Sequence, residues 1–221
     1  MSAYHTPEQG YMRVVTPPPI PAKTLLLVHQ LPELDEQQLP EFLDHTIRDG
    51  CDIRHLYEVM IDAIRSHKAY LVKELLQYGT PVSPIYVREA VKAKAKDILI
   101  SFFDHGWDIN TPMSGMDPPI LANGLEDLEM TIWLLDHGAD PNKRCDIDNT
   151  PLYYAVRYAD LATIDLLLHR GGDVRMGQLV HNAIYRESDT LEVVKMLVDR
   201  GAPFNSLMYQ DHSILGTCFL L

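Results

Sequence analysis

The segment that decides the fold is TPLYYAVRYADLATIDLLLHRGGD, residues 150–173. It opens with Thr150 and Pro151, a side-chain oxygen followed by a proline, which is typical of the first residues of a helix. Asp160 supplies a second capping oxygen, and an apolar run leads from it to Gly171, where a helix can end in a left-handed residue. The segment therefore predicts two short helices joined by a tight turn.

The end of this segment, an apolar pair followed by two further residues and a glycine, recurs along the chain. The copies are LLQYG, FFDHG, LLDHG, LLHRG and LVDRG. Their glycines are Gly79, Gly106, Gly138, Gly171 and Gly201, separated by 27, 32, 33 and 30 residues. This regular spacing indicates a repeat array, in which each unit buries its apolar face against the next.

A second column of small residues lies twelve residues before the apolar pair in four of the units. Its members are Ala63, Ala90, Ala122 and Ala155. Ser83-Pro84 and Asp117-Pro118 repeat the cap and proline of Thr150, and Asp127 offers a cap to a second helix, as Asp160 does. We expect each unit to be a short helix, a tight turn, a second short helix and a glycine-ended loop.

These columns together resemble the ankyrin-repeat family, whose pattern of about 33 residues has a T-P-L-H-x-A start and an L-L-x-x-G-A-D-x-N exit. The resemblance implies an all-α fold, an ankyrin-repeat solenoid of stacked helix-turn-helix units with finger loops. We expect about five repeats over residues 54–221 and an incomplete one at the C-terminal end, where Ser213 to Cys218 match a further helix start. The short step between Gly79 and Gly106 predicts a truncated finger loop near Pro81.

Two segments precede the predicted repeats. Residues 1–24 contain five prolines and little apolar periodicity, which predicts a flexible Pro-rich arm. Within this arm, residues 15–21 are either a plain tail or a polyproline ligand for a partner's aromatic groove. Residues 25–53 are predicted to form a degenerate helical N-terminal cap, because a helical pattern there ends in an exit-like motif at Gly50.

Composition excludes several classes of function. The 19 basic and 31 acidic residues give a net charge of −12, which disfavours nucleic-acid binding and binding to anionic membranes. Cys51, Cys145 and Cys218 are scattered, which favours reduced thiols in an intracellular protein, cytoplasmic and/or nuclear. No apolar stretch is long enough to predict a transmembrane helix. The oligomeric state is not encoded in the sequence, and a monomer is the default.

The sequence predicts neither an enzyme nor a cofactor. It has no G-x-S-x-G turn, glycine-rich phosphate loop or H-E-x-x-H helix. His105 and His137 occupy equivalent positions of neighbouring repeats, about 8–10 Å apart, whereas a zinc ion binds its ligands at about 2 Å. No metal site is therefore expected.

The predicted binding surface follows from the resemblance, since the family lines a concave groove with one face of its first helices. Positions one before and three after the alanine lie on that face. The candidates are Leu121, Leu125, Tyr154 and Tyr158, extended by Arg157, Tyr185, Arg186 and the loop residues Trp107, Met113, Met116, Asp146 and Asn149. We expect a non-catalytic scaffold or adaptor that binds a partner protein or peptide there.

Three alternatives to this surface stay open. A slight rotation of the helices would bury these side chains between repeats instead. The protein would be an accessory to an enzyme, or a small-molecule binder, if Tyr153, Tyr154 and Tyr185 closed a pocket. Finally, residues 218–221, Cys-Phe-Leu-Leu, fit the C-a-a-X pattern of a prenylated, membrane-associated adaptor.

Overall fold

A computed structural model of the chain describes residues 28–204. The predicted Pro-rich arm and the predicted helix start at residues 213–218 lie outside the described residues. The chain divides between Val59 and Met60 into two compact units. The sequence-based boundary at residues 53/54 stays a prediction.

The first unit is helical over its described residues. A 3₁₀ turn, Leu31–Glu33, precedes helix α1, Leu39–Arg48, and a second 3₁₀ turn, Ile53–Leu56, follows it. Gly50 ends α1 with a φ of 92°, which is the backbone geometry expected of the exit motif. Asp52 caps the second turn by accepting a hydrogen bond from a backbone N–H.

Five helix-turn-helix units follow within the part of the chain that the structure describes. They are α2 (Tyr57–Arg65) with α3 (Ala69–Gln77), α4 (Pro84–Lys92) with α5 (Lys96–Asp104), the 3₁₀ turn Ile120–Asn123 with α6 (Leu128–Asp136), α7 (Pro151–Tyr158) with α8 (Leu161–His169), and α9 (Leu179–Ala183) with α10 (Thr190–Asp199). The division of the chain falls within α2. Over residues 28–204 the only β feature is an isolated bridge between Pro112 and Pro119, so the predicted all-α class is confirmed.

The units stack in chain order. Helix α4 contacts the turn Ile120–Asn123, that turn contacts α7, and α7 contacts α9, so that the first helices form one row. Helices α3 and α5 contact each other in the same way in the row of second helices. The predicted solenoid of stacked hairpins is confirmed. The loop before α4 spans only residues 78–83, as the short step predicted.

The exit glycines all have the predicted left-handed backbone. Their φ values lie between 83° and 96° at Gly79, Gly106, Gly138, Gly171 and Gly201. The amide after each glycine donates to the carbonyl five residues earlier, as Ala139 does to Leu134 at 3.0 Å. This is the Schellman arrangement, which satisfies the carbonyls at the end of a helix.

Three of the predicted helix caps are present. Thr150, Asp127 and Asp160 accept hydrogen bonds from backbone N–H groups three residues later, at 3.0, 2.9 and 2.7 Å. The hydrogen bond from the backbone of Thr163 holds the pKa of Asp160 below its ordinary value. Ser83 precedes α4, but its side chain makes no capping hydrogen bond.

Asparagine side chains join two of the exit loops to the loop of the next unit. Asn142 donates from Nδ2 to the carbonyl of Gly171 at 2.8 Å and accepts from the N–H of Asp173 at 2.7 Å. Asn110 makes the same two bonds one unit earlier, at 3.0 and 2.8 Å. Each asparagine satisfies one donor and one acceptor of its neighbour, which holds adjacent loops in register.

Ion pairs also link consecutive units, and their side chains are largely solvent-exposed. They join Lys94 to Asp127, Lys96 to Glu129, Arg170 to Asp136 and Arg200 to Asp165. Solvent screens such pairs, so they add little to stability. Burial of a leucine-sized side chain contributes about 1.5–3 kcal/mol. Fully buried side chains such as Leu134 and Ile164 therefore hold the stack together.

The unit around residue 120 differs from the prediction. Its first helix is a single 3₁₀ turn that begins after Pro119, not at a cap formed by Asp117. The reason is that Pro119 restricts Pro118 to extended backbone, so no α-helix can start there. The assignment of Ala122 to the column of small residues is wrong, because Ala122 is half-buried and Gly124 is buried instead.

The packing around Gly124 explains why that position holds glycine. A Cβ atom there would lie 2.8 Å from Cδ1 of Leu134, a fully buried side chain. Gly124→Ala should therefore lower the free energy of unfolding by about 1–3 kcal/mol, measured by urea unfolding followed by circular dichroism.

Gly115→Ala is the matched control for this substitution. Its new Cβ would lie equally close, 2.8 Å, to Oδ2 of Asp146, but that exposed carboxylate can rotate away. We expect little change in its unfolding midpoint. Equal losses in the two variants, or no loss in either, would contradict the placement of Gly124 in the buried column.

Candidate functional site

Helix α7 carries three of the predicted binding residues, Tyr154, Arg157 and Tyr158, and the start of the helix fixes their register. Thr150 caps the helix and Pro151 takes its first position. Leu152, Ala155 and Val156 consequently point into the core and are at most 1% exposed. The opposite face leaves Tyr158 65% exposed and Tyr154 half-buried.

Five side chains of α7 and the next unit form a group that we call the tyrosine cluster. Its members are Tyr154, Arg157, Tyr158, His181 and Tyr185. The guanidinium of Arg157 lies 5.2 Å from the ring centroid of Tyr158 and 5.5 Å from that of Tyr185. The Tyr154 and Tyr158 centroids are 6.1 Å apart, and those of His181 and Tyr185 are 5.3 Å apart. One cation thus joins aromatic rings from two consecutive repeats.

Tyr154 is the least exposed tyrosine of the cluster. Burial raises the pKa of its phenol, and the negative charge of Asp117 raises it further. The phenol therefore stays protonated at neutral pH and can both donate and accept a hydrogen bond. Tyr154 and the more exposed Tyr158 together offer apolar rings with polar tips, a composition enriched at protein interfaces.

Arg186 is not available as a basic contact residue, contrary to the prediction. Its Nη1 donates to the carbonyl of Val156 at 2.7 Å, and its Nη2 donates to the carbonyl of Ala159 at 2.8 Å. These carbonyls lie at the end of α7, where a helix has no N–H groups left to satisfy them. Nε donates to Ser188 at 3.1 Å, so the whole fork of the guanidinium is engaged.

Asn182, a buried residue, also joins α9 to α7. Its Nδ2 donates to the carbonyl of Tyr153 at 2.7 Å. With Arg186 it ties the unit of α9 to α7, and this packing brings Tyr185 beside Arg157. Asn182 and Arg186 are therefore positioning residues. A sequence pattern alone gives no sign of these bonds, because their partners are backbone atoms about one repeat earlier.

The expectation that Leu121 and Leu125 line an exposed groove is wrong. Their side chains are 0% and 5% exposed. The 3₁₀ turn has three residues per turn, so the spacing of an α-helical face does not apply to it. With Gly124 in the small position, these leucines match Leu152 and Val156 and belong to the core.

The predicted loop residues differ in their exposure to solvent. Met113 and Asn149 are 5% and 8% exposed, so the prediction that they extend the surface is wrong. Asn149 donates to the carbonyl of Met116 at 3.4 Å and so links two finger loops. Met116 is 67% exposed and Asp146 is exposed. Trp107 is half-buried, and its ring N–H has no acceptor among the described residues.

The cysteines and histidines are the remaining side chains most often used in catalytic or metal sites. Burial raises the pKa of the Cys51 and Cys145 thiols, which keeps them protonated and weakly nucleophilic. His105 and His137 each place Nδ1 2.7 Å from a carbonyl of their own helix. Within residues 28–204, no three His, Cys, Asp or Glu side chains are grouped closely enough to hold a metal ion. Over the same span, no helix combines the length and apolarity needed to cross a membrane.

Arg157, within the tyrosine cluster, and Arg186, outside it, should differ in their contribution to stability. Arg186→Ala leaves two helix-end carbonyls without their donors and should lower the free energy of unfolding by about 1–3 kcal/mol. Arg157→Ala should lower the free energy of unfolding clearly less, because its guanidinium packs against the exposed rings of Tyr158 and Tyr185. Urea unfolding of both variants measures the difference. A larger loss for Arg157→Ala would contradict the positioning role of Arg186.

Comparison with known proteins bears on the repeats that carry the cluster. The family model for ankyrin repeats matches residues 87–178, in three copies. A search of curated proteins finds no match for the chain. The matched segment runs from α4 through the unit of α7 and α8, and α9 and α10 follow it in the same stack.

Proposed function

Because residues 87–178 are ankyrin repeats, which generally mediate protein–protein interaction, we propose that this chain is a non-catalytic scaffold for a partner protein or peptide. The proposed contact surface is the groove face of α7 and α9, centred on the tyrosine cluster. The observation that carries this choice is the position of Arg157 between the exposed rings of Tyr158 and Tyr185.

Physical reasons favour this cluster over other exposed residues. Tyrosine and arginine are the side chains that most often dominate the binding energy of an interface, and they do so near its centre. The bonds of Asn182 and Arg186 hold the cluster in place before a partner arrives. Binding therefore costs little conformational entropy on this side of the interface.

The proposed surface is smaller than the one expected from the sequence. Met116, Asp146 and Trp107 extend it along the finger loops, where at least part of each side chain is exposed. The residues that are buried, or whose side chains are already hydrogen-bonded within the protein, pack beneath this surface and do not contact the partner directly. These are Leu121, Leu125, Met113, Asn149 and Arg186.

Two alternative functions have less support. An accessory or small-molecule role needs a closed pocket at the tyrosines, and the 54% exposure of Tyr185 does not favour one. A prenylated adaptor depends on Cys218, outside the described residues, and is tested by intact mass after expression in a prenylating cell. The intracellular location that we propose rests on the reduced thiols, of which Cys51 and Cys145 are unpaired and buried.

Removing both exposed rings around Arg157 should disrupt partner binding without unfolding the chain. Tyr158→Ala combined with Tyr185→Ala should weaken binding by about tenfold or more, because truncation of such central residues costs at least about 2 kcal/mol. Affinity capture with mass spectrometry identifies partners that the wild type retains and this variant loses, and titration with the purified partner then gives the change in Kd.

The matched control replaces two exposed isoleucines of another unit. Ile85 and Ile100 are 49% and 43% exposed on α4 and α5, so the variant with both changed to Ala removes comparable apolar surface. It should bind the partner as the wild type does. If the double tyrosine variant binds every partner within about twofold of the wild type, the proposed surface is wrong.

A further inference from the structure

Arg157 differs from the other arginines of residues 28–204 in its bonding. Within this span, each of the others except Arg186 forms an ion pair with an Asp or Glu carboxylate, at nitrogen–oxygen distances of 2.6–3.6 Å. Arg186 donates to backbone carbonyls instead. Arg157 makes neither kind of bond to a described residue, and even Glu126, at the equivalent position of the preceding unit, does not pair with it. The N–H donors of Arg157 therefore have no acceptor within this span and can bind a group of a partner.

Two tyrosine rings hold this guanidinium at the centre of the tyrosine cluster. It lies over the ring of Tyr158, on its own helix, and over the ring of Tyr185, on the next unit. The side chain of Arg157 is half-buried, whereas both tyrosines are exposed. A guanidinium that packs on ring faces can keep the N–H groups in its own plane for hydrogen bonds. The rings thus place a cation within an apolar surface without neutralising its charge.

The positive charge of Arg157 selects among the ligands that this surface could bind. Exposed tyrosine rings alone would attract a cation, such as a lysine of the partner. Arg157 already occupies these ring faces and would repel a second positive charge. Phosphorylated segments are typically bound by clusters of arginines, but the guanidinium of Arg186 is bonded to the end of α7. A carboxylate carries a single charge and matches the forked N–H edge of one arginine.

We propose that the tyrosine cluster binds a peptide segment of the partner in which a single Asp or Glu is flanked by aromatic or aliphatic residues. The carboxylate binds Arg157, and the flanking side chains pack against Tyr158 and Tyr185. This inference rests on the proposed function, because it assigns a chemistry to the partner of the same surface.

Two physical reasons favour one carboxylate among apolar residues over a run of acidic ones. The chain has a net charge of −12, which opposes the approach of a strongly acidic segment. An ion pair that stays exposed to water also contributes little to binding. Apolar side chains beside the carboxylate exclude water from the pair and so strengthen it.

The test uses short random peptides, displayed on phage and selected on the purified full chain. Peptides enriched on the wild type should share an Asp or Glu beside an aromatic or aliphatic residue. For one such peptide, Arg157→Glu should raise the Kd by about tenfold or more, because the change removes charged hydrogen-bond donors and adds repulsion. Replacing the acidic residue of the peptide by Lys should weaken its binding to the wild type and restore binding to Arg157→Glu.

Arg48→Glu is the matched control, since it changes the net charge by the same amount. Arg48 lies on α1, and its side chain is 78% exposed. This variant should bind the selected peptide within about twofold of the wild type. Circular dichroism checks that each variant is folded. If Arg157→Glu fails to fold, Arg157→Gln, which removes the charge alone, decides the outcome by the same rise in Kd.

The results separate this inference from the proposed function. The inference is overturned if no peptide is enriched, if the enriched peptides lack an acidic residue, or if folded Arg157→Glu binds within about twofold of the wild type. Binding that tightens about tenfold or more when phosphoserine replaces the acidic residue would also overturn it, because the ligand would then be a phosphopeptide. Peptides that bind the double variant Tyr158→Ala, Tyr185→Ala as tightly as the wild type would instead contradict the proposed surface itself.

Discussion

Hydrogen bonds from the preceding unit hold the exit loop of a hairpin in this chain. The carbonyl of Gly171 and the N–H of Asp173 find their partners on Asn142, in the preceding unit. These bonds are exposed or part-buried, so each contributes about 0.5–1.5 kcal/mol and holds its loop in register with the neighbouring one. The apolar faces carry the same constraint, since Val156 is fully buried between repeats, whereas Ile184 in the last described repeat is 55% exposed. Stability is therefore a property of the ordered array.

The candidate binding surface also depends on contacts between consecutive units. Helix α7 ends with carbonyls that it cannot satisfy, and Arg186 of the next unit binds two of them. The hydrogen bonds between Arg186 and the end of α7 also set the distance between Arg157 and Tyr185. Because the tyrosine cluster draws on two repeats, no isolated repeat would display it. The stacking that stabilises the fold thus brings together an aromatic surface from residues far apart in sequence.

Local chemistry determined which features could be predicted from the sequence. The exit loops were predictable, because a backbone φ near 90°, as at Gly138, favours glycine, which has no Cβ to clash. The caps at Thr150 and Asp160 were predictable because a side-chain oxygen at a helix start bonds to backbone N–H groups of its own helix. The unit around Gly124 was not predictable in this way. Ala122 matches the spacing of the small-residue column, and that spacing does not show the effect of Pro119 on the helix start. Arg186 was also missed, because its partners are backbone carbonyls, which carry no residue-specific signal.

Amide hydrogen exchange at Asp173, in the wild type and in Asn142→Ala, tests most directly whether each loop is held by the preceding unit. We expect a protected amide in the wild type and a loss of protection of about tenfold or more in the variant. The amide of Gly172, which donates to Leu167 within its own unit at 2.9 Å, should keep its protection. An unprotected Asp173 amide in the wild type, or equal protection in both proteins, would contradict the account.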